Sequence, residues 1–330
     1  SQRWATGYNF PAFEAGDVVK KTFETTSGEP MQGFVLNMRK PQFQDRRVRE
    51  ALTWAFDFES MNRTLFYGAY ARTTSYFGGG ELASSGLPRG RELEILEEFR
   101  GKVPDEVFTT EFKLPVYDNA RAVRDNLRKS VELLGQAGWE SRNGRMVNKE
   151  TGRPLTIEFL GDDPTDERMM KPFIDNLRRL GIESPIRIVD TSQYVNRVRN
   201  FDYDVITTLL AQSQSPGNEQ RDFWSSAAAD APGSRNVAGI RDPAVDKLID
   251  RVIFARDREE LVAATRALDR VLLWGYYLVP QWHLPEIWVA HWNKFGIPDE
   301  QPTYVGIDID SWWILPDRET AIERKYEEGE

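Results

Sequence analysis

Cysteine is absent from the 330 residues. That excludes thiolate metal centres, disulfides and cysteine nucleophiles. Histidine is nearly absent: His283 and His291 are the only two, too few for a His-rich metal site or for most general-base chemistry. No apolar run approaches the ~20 residues that a membrane span needs. No leader pattern opens the chain, and Ser1 stands where an initiator methionine would, so a mature or trimmed form is expected. Basic surface is lacking too. The net charge is -9, and ten acids against three bases fall between Asp299 and Glu330, leaving the remainder nearly balanced. Nucleic acid and anionic lipid are therefore poor partners. The acidic end reads as a solvated terminal helix or tail. Internal repeats and low-complexity tracts are missing as well.

What is present is enough apolar material, 40% of residues, for two globular units or one elaborate α/β unit. Phe34–Met38 reads as a short strand. Asp45 reads as an N-cap, and Val48, Leu52, Ala55 and Phe58 follow at helical spacing, predicting a helix from Asp45 to about Tyr67. Residues 69–118 form a long irregular excursion with a short helix from Glu92 to Phe99; segments of this length are usually functional or packed over another element. From Asn119 the pattern sharpens. A helix closes at Gly138, Asn143-Gly144 marks a hairpin, and Leu155, Ile157 and Phe159 alternate as in a half-buried strand. A helix with Phe173, Ile174 and Leu177 on its face follows, then a strand at Pro185–Val189. This order predicts a parallel βαβ unit. Thr191 caps a short helix, Asp204–Leu210 is a further strand, and two helices follow Asp242-Pro243. Leu278 to Ala290 reads as extended and aromatic.

The loop from Ala211 to Trp224 is the leading site candidate, because open α/β sheets bind ligands beyond the carboxyl ends of their strands. It offers amide groups (Gln212, Gln214, Asn218), an ion pair (Arg221, Asp222) and an aromatic plate (Trp224). That mixture suits a polar, extended ligand with backbone-like amides; an ordinary solvated loop is the competing reading. Ten tryptophans are many for this length. Core packing explains most of them, with Trp282 beside His283 picked out as cleft-facing. No metal and no cofactor are expected. Carboxylate pairs are uninformative, since 52 acids guarantee chance pairs. Gly78-Gly-Gly80 has no following Gly-Lys-Ser/Thr and is not a phosphate loop. The sequon Asn62-Arg63-Thr64 falls inside a predicted helix and reads as coincidence.

Several segments together carry a family resemblance: Arg46-Arg-Val-Arg-Glu-Ala-Leu52, Ala137-Gly-Trp139, Phe201-Asp-Tyr-Asp204, Asp242-Pro-Ala-Val-Asp246 and Ala267-Leu-Asp-Arg-Val-Leu272. They resemble family 5 of the extracellular solute-binding proteins, the peptide- and nickel-type receptors of bacterial ABC importers. Phe56-Asp-Phe-Glu59, Asn62-Arg-Thr-Leu-Phe66 and Trp292-Asn-Lys-Phe295 are most similar to its Yej-type oligopeptide subgroup. The resemblance implies an α/β fold of the periplasmic binding protein-like type II (class C) kind. It implies a periplasmic receptor, without catalysis, that closes over an oligopeptide or peptide-like compound, such as a muropeptide or a peptide antibiotic conjugate, and delivers it to ABC permease subunits. It also implies that most of the N-terminal lobe belongs before Ser1. Residues 1–32 would then be a lobe I segment, 33–280 lobe II, and 281–330 the return to lobe I with the acidic tail. Peptide receptors of this kind place an Asp, for the ligand's amino terminus, in the loop that is Ala211-Gln212-Ser213 here; either Glu219 or Asp222 takes over, or the ligand's amine is read elsewhere, or it is modified. Two further classes stay open on the residues alone: a carboxylate-dependent hydrolase of peptide or glycan material, and a Trp-rich protein-interaction module.

Overall fold

The computed structural model describes residues 2–24, 28–302 and 306–327. Part of the turn expected at Ser27 and the end of the acidic run lie outside them. The chain divides into two compact units, one of residues 1–27, 62–71 and 284–330, the other of residues 28–61 and 72–283. The segment 62–71 falls with the first unit, a crossing that hydrophobic periodicity does not mark.

The larger unit is built on a five-stranded sheet of β1 (Met31–Leu36), β2 (Phe159–Gly161), β3 (Ile186–Ile188), β4 (Val205–Leu210) and β5 (Leu278–Pro280), in the order β3-β2-β4-β1-β5. β2 runs parallel to β3 and to β4, while β1 runs antiparallel to β4 and β5. Six longer helices belong to this unit: α1 (Arg46–Trp54), α2 (Ala120–Gln136), α3 (Pro164–Arg179), α4 (Thr191–Arg199), α5 (Pro243–Ile253) and α6 (Arg258–Gly275). The parallel β2–α3–β3 unit is the one the residue pattern predicts, and the mixed α/β class follows.

Local chemistry sets the boundaries. β1 begins and ends earlier than its apolar run; just past its end the Asn37 carboxamide donates to the carbonyls of Tyr203 (2.8 Å) and Phe201 (3.0 Å). Asp45 caps α1 by accepting the Arg47 N–H. The expected long helix breaks after Trp54: Asp57 Oδ1 takes the Ser60 N–H at 2.8 Å, and a second helix runs Phe58–Leu65. A short polar side chain that bonds nearby backbone competes with the helix in this way. The cap of α4 is Asp190, whose carboxylate accepts the Gln193 N–H, rather than Thr191. Asn143 and Gly144 both have positive φ, 51° and 78°, and close the hairpin Trp139–Arg142/Arg145–Asn148 as a two-residue loop of that kind requires.

The excursion 72–118 is packed over α6. Ile95, Leu96, Phe99, Val103 and Val107 join Leu268 and Leu272 in one buried cluster. Two buried charges on α6 fasten it. Asp269 accepts from the Ser75 hydroxyl (2.9 Å), the Tyr76 N–H (2.8 Å) and both the N–H (2.9 Å) and hydroxyl (2.6 Å) of Ser84. Arg270 donates to Glu92 and to the carbonyls of Gly86 and Ser85. The excursion is thus ordered by a polar clamp as well as by apolar burial.

In the smaller unit, Val18–Glu24 pairs antiparallel with Glu286–Trp292. Trp4 stacks on Trp288 at 5.1 Å, and the Lys20 ammonium lies 4.4 Å from the Trp4 ring. The helix Pro316–Glu327 docks through Asp17, which binds Lys325 and the Tyr326 hydroxyl. The Asn62 carboxamide is spent inside its own loop, on the N–H and carbonyl of Tyr70.

Candidate functional site

Within the larger unit, three chain segments meet at the carboxyl end of β4. The loop after Leu210 is one. The start of β1 is the second, where Met31 lies opposite Leu210 and Gln32 opposite Leu209. The third is the residue after β5: Gln281 donates its backbone N–H to the Gln32 carbonyl at 2.8 Å. This is the sheet end at which ligands of open α/β folds sit.

The loop is organised by a relay of side-chain amides. Trp224 donates its indole N–H to Gln220 Oε1 at 2.8 Å. Gln220, fully buried, donates in turn to Gln212 Oε1 at 2.6 Å. An indole can only donate, so it fixes Gln220 with its oxygen inward and its nitrogen toward Gln212. Gln212 must then accept through its oxygen, which leaves its own Nε2 at the end of the relay, shut off from solvent and without a partner. A second pair repeats the pattern: Gln32 Nε2 donates to Gln281 Oε1 at 2.7 Å, and Gln281 Nε2 is buried and unpartnered. Two amide nitrogens with unspent donors therefore belong to one sheet end. Buried polar groups are normally paired.

The surroundings pin these amides in place. Gln214 is held between two glycines: a Cβ on Gly28 would lie 3.2 Å from its Nε2, and one on Gly80 3.2 Å from its Oε1. Its carbonyl accepts from Arg258. The tri-glycine run is thus a close-packing device. Gly78 accepts the Glu29 N–H at 2.9 Å. The Glu29 carboxylate lies 3.3 Å from His283 Nε2, and His283 Nδ1 meets the Thr73 hydroxyl at 3.2 Å.

The residues singled out in the sequence divide accordingly. Gln212, Gln214 and His283 belong to this cluster. Asn218 is exposed on the loop. Arg221 and Asp222 do not pair with each other; Arg221 binds Asp250 at 2.7 Å and Asp222 faces Arg235 at 3.7 Å. Trp224 is not an open plate. It is 2% exposed, packed edge-on against Tyr76 and beside Phe223, because its ring completes the core under the loop. Trp282 is likewise buried, 5% exposed, and stacked near Phe56 and Phe58. Of the two acids considered for a ligand amine, Asp222 faces Arg235. Glu219 accepts the Gly217 N–H at 2.8 Å; burial alone would raise its carboxyl, but the bonds from Gly217 and Gln220 hold it below the ordinary value. Sequence reasoning missed Gln32, Gln220, Gln281, Glu29 and Thr73. No local signal marks Gln32, Gln281, Glu29 or Thr73, whose partners lie far off in sequence; Gln220 has one local partner, Trp224 four residues on.

Comparison with known proteins follows from this geometry. The family profile described as "Bacterial extracellular solute-binding proteins, family 5 Middle" matches residues 5–231. A protein of Agrobacterium fabrum named "Probable peptide-binding protein YejA" is 54% identical over 316 residues, covering 95% of this chain and 51% of that protein. Among solved structures, the oligopeptide-binding protein AppA from Bacillus subtilis, in complex with a nonapeptide, aligns with a TM-score of 0.67 at 18% identity, over 95% of this chain and 54% of its own. The periplasmic binding protein DppA from Helicobacter pylori, in complex with the peptide STSA, aligns at 0.64 and 16% identity, over 95% and 51%. At these identities the two structures speak for the fold. The chain spans about half the length of the curated relatives it matches.

Proposed function

We propose, for a chain that belongs to the family 5 bacterial extracellular solute-binding proteins, the role of ligand-binding part of a periplasmic importer receptor. It takes an oligopeptide or peptide-like compound and passes it to membrane permease subunits, with no chemistry of its own. The observation that carries this reading is the polarity of the amide relay. Gln212 and Gln281 both end in unspent N–H donors. Such a site calls for ligand acceptors, and a peptide backbone supplies carbonyl oxygens at regular spacing. Leaving the donors unmet costs ~1–3 kcal/mol each, and ligand carbonyls recover that cost on binding. The name of the YejA-type relative supports the same ligand class.

The absence of an acid at Gln212 bears on specificity. An amide end of the relay bonds a carbonyl but cannot neutralise an ammonium. The reading is therefore of a site selecting backbone rather than a charged amino terminus, which admits muropeptides and peptide conjugates with a modified amine. Mass spectrometry of small molecules released by heat from the natively purified protein tests it. Peptides or peptide-containing compounds are the expected cargo. Sugars or metal chelates without amide bonds would rule the reading out.

A further inference from the structure

Arg72 is a cation inside the larger unit with nothing bonded to it. Its Nε, Nη1 and Nη2 are all shut off from solvent and have no hydrogen-bond partner. The guanidinium lies 4.7 Å from the Phe56 ring centre and 5.7 Å from that of Phe58, the two rings that stack near Trp282. Asp57 and Glu59 favour its charge through space, but Asp57 Oδ1 accepts the Ser60 N–H and Glu59 Oε2 accepts the Tyr117 N–H at 2.9 Å. Burial pushes the guanidinium down to about 10, so it remains charged at neutral pH.

Arg72 also lines a cavity of 380 Å³ whose charged and hydroxyl-bearing wall residues include Thr74, Ser84, Lys113 and Arg270 together with two acids, Glu59 and Glu111. The other cations there are engaged. Arg270 is bonded to Glu92, Gly86 and Ser85, and Lys113 pairs with Glu111 at 2.7 Å. Keeping a buried guanidinium with no acceptor for its N–H groups, where a well-packed apolar side chain would serve, is costly for a fold. A planar fork of five donors is the group best shaped for a carboxylate.

We propose that Arg72 is a carboxylate receptor, which binds one carboxylate of the ligand bidentately at the wall of this cavity. Uncovering the guanidinium is part of binding. The assignment rests on the reading above for the ligand being peptide-like, and it adds an anionic subsite in the larger unit, lined by residues other than those of the amide relay.

The test follows the arginine side-chain N–H signals of the 15N-labelled 330-residue chain, with the Arg72 signal identified by its loss in Arg72→Gln. Sodium acetate should shift that signal saturably, and acetamide should leave it in place. Acetate should also raise the melting temperature of the wild type but not of Arg72→Gln, with sodium chloride balancing ionic strength. No saturable shift, or an equal melting response in both proteins, overturns the proposal. Arg72→Met should melt no lower than the wild type without acetate; a large drop would make the guanidinium a structural group and also overturn it. Tetra-alanine and its C-terminal amide then separate the sources of the carboxylate. At least tenfold weaker binding of the amide to the wild type alone assigns a ligand C-terminus, and equal binding with a positive acetate result excludes the C-terminus and leaves a side-chain carboxylate as the source. If acetate binds and no peptide does, the peptide reading fails and the receptor stands. If peptides bind and acetate does not, the receptor fails.

Discussion

Replacing Asp269 should unfasten the excursion that borders the site. Four donors from Ser75, Tyr76 and Ser84 converge on its carboxylate at 2.6–2.9 Å, and the side chain is fully buried. Asp269→Ala leaves those donors without an acceptor. A buried donor left unmet costs ~1–3 kcal/mol, and the loop relaxes partly, so a total of roughly 3–5 kcal/mol is expected. Asp269→Asn keeps one acceptor oxygen but turns an NH2 toward groups that also donate. Its cost should be about 2–3 kcal/mol. Urea unfolding followed by far-ultraviolet circular dichroism, with the slope unchanged, measures both. The effect should reach the site, because Gly78 in the clamped loop accepts the Glu29 N–H, and Glu29 faces His283. Faster hydrogen exchange at the Glu29 amide is therefore expected in both variants. If Asp269→Asn stays within about 0.5 kcal/mol of the wild type, the magnitude expected of ordinary surface changes, the clamp is not what orders the excursion.

Trp224→Ala should destabilise the larger unit by roughly 3–5 kcal/mol, because the ring is core; unfolding curves superimposable on the wild type would contradict that burial. Trp224→Phe keeps most of the apolar contact but withdraws the donor that orients Gln220. It should fold normally and weaken ligand binding, and unchanged affinity would sever the relay from recognition. Glu158 supplies a pH test. Burial alone would raise its carboxyl, but bonds from Arg187 (2.9 Å) and Arg197 (3.0 Å) hold it below the ordinary value. With the folded value below the unfolded one, its contribution is complete above the ordinary carboxylate range and is lost as pH falls through the folded value. Glu158→Gln should therefore cost about 1 kcal/mol near neutrality, the difference closing in acid; an equal difference at both extremes would refute the assignment.

Much of the fold could be read from the chain because its signals are local. The Asp45 cap, the Asn143-Gly144 turn and the alternation at Leu155, Ile157 and Phe159 each act within a few residues, and each has its counterpart in the structure. The break after Trp54 was hidden because Asp57 is a cap only once its neighbours stop being helical. Asp269 and Arg270 were visible as a charged pair inside the apolar run Ala267–Leu272, but their partners lie more than 170 residues away in sequence. The site was legible in part for the same reason. The candidate loop at the end of β4 follows from sheet logic, and so does Gln212 as a candidate. The roles of the aromatic residues did not follow. Trp224 is informative as a hydrogen-bond donor rather than as a plate, since its single N–H decides which way Gln220 and then Gln212 must face. Residue type announced a polar loop, but which way its amides face is set by one buried indole whose partner stands four residues away on the same helical turn. A buried, unspent amide nitrogen at the end of the relay is what separates this loop from a merely solvated one. The relay ties the orientation of Gln220 and Gln212 to a residue buried beneath the loop.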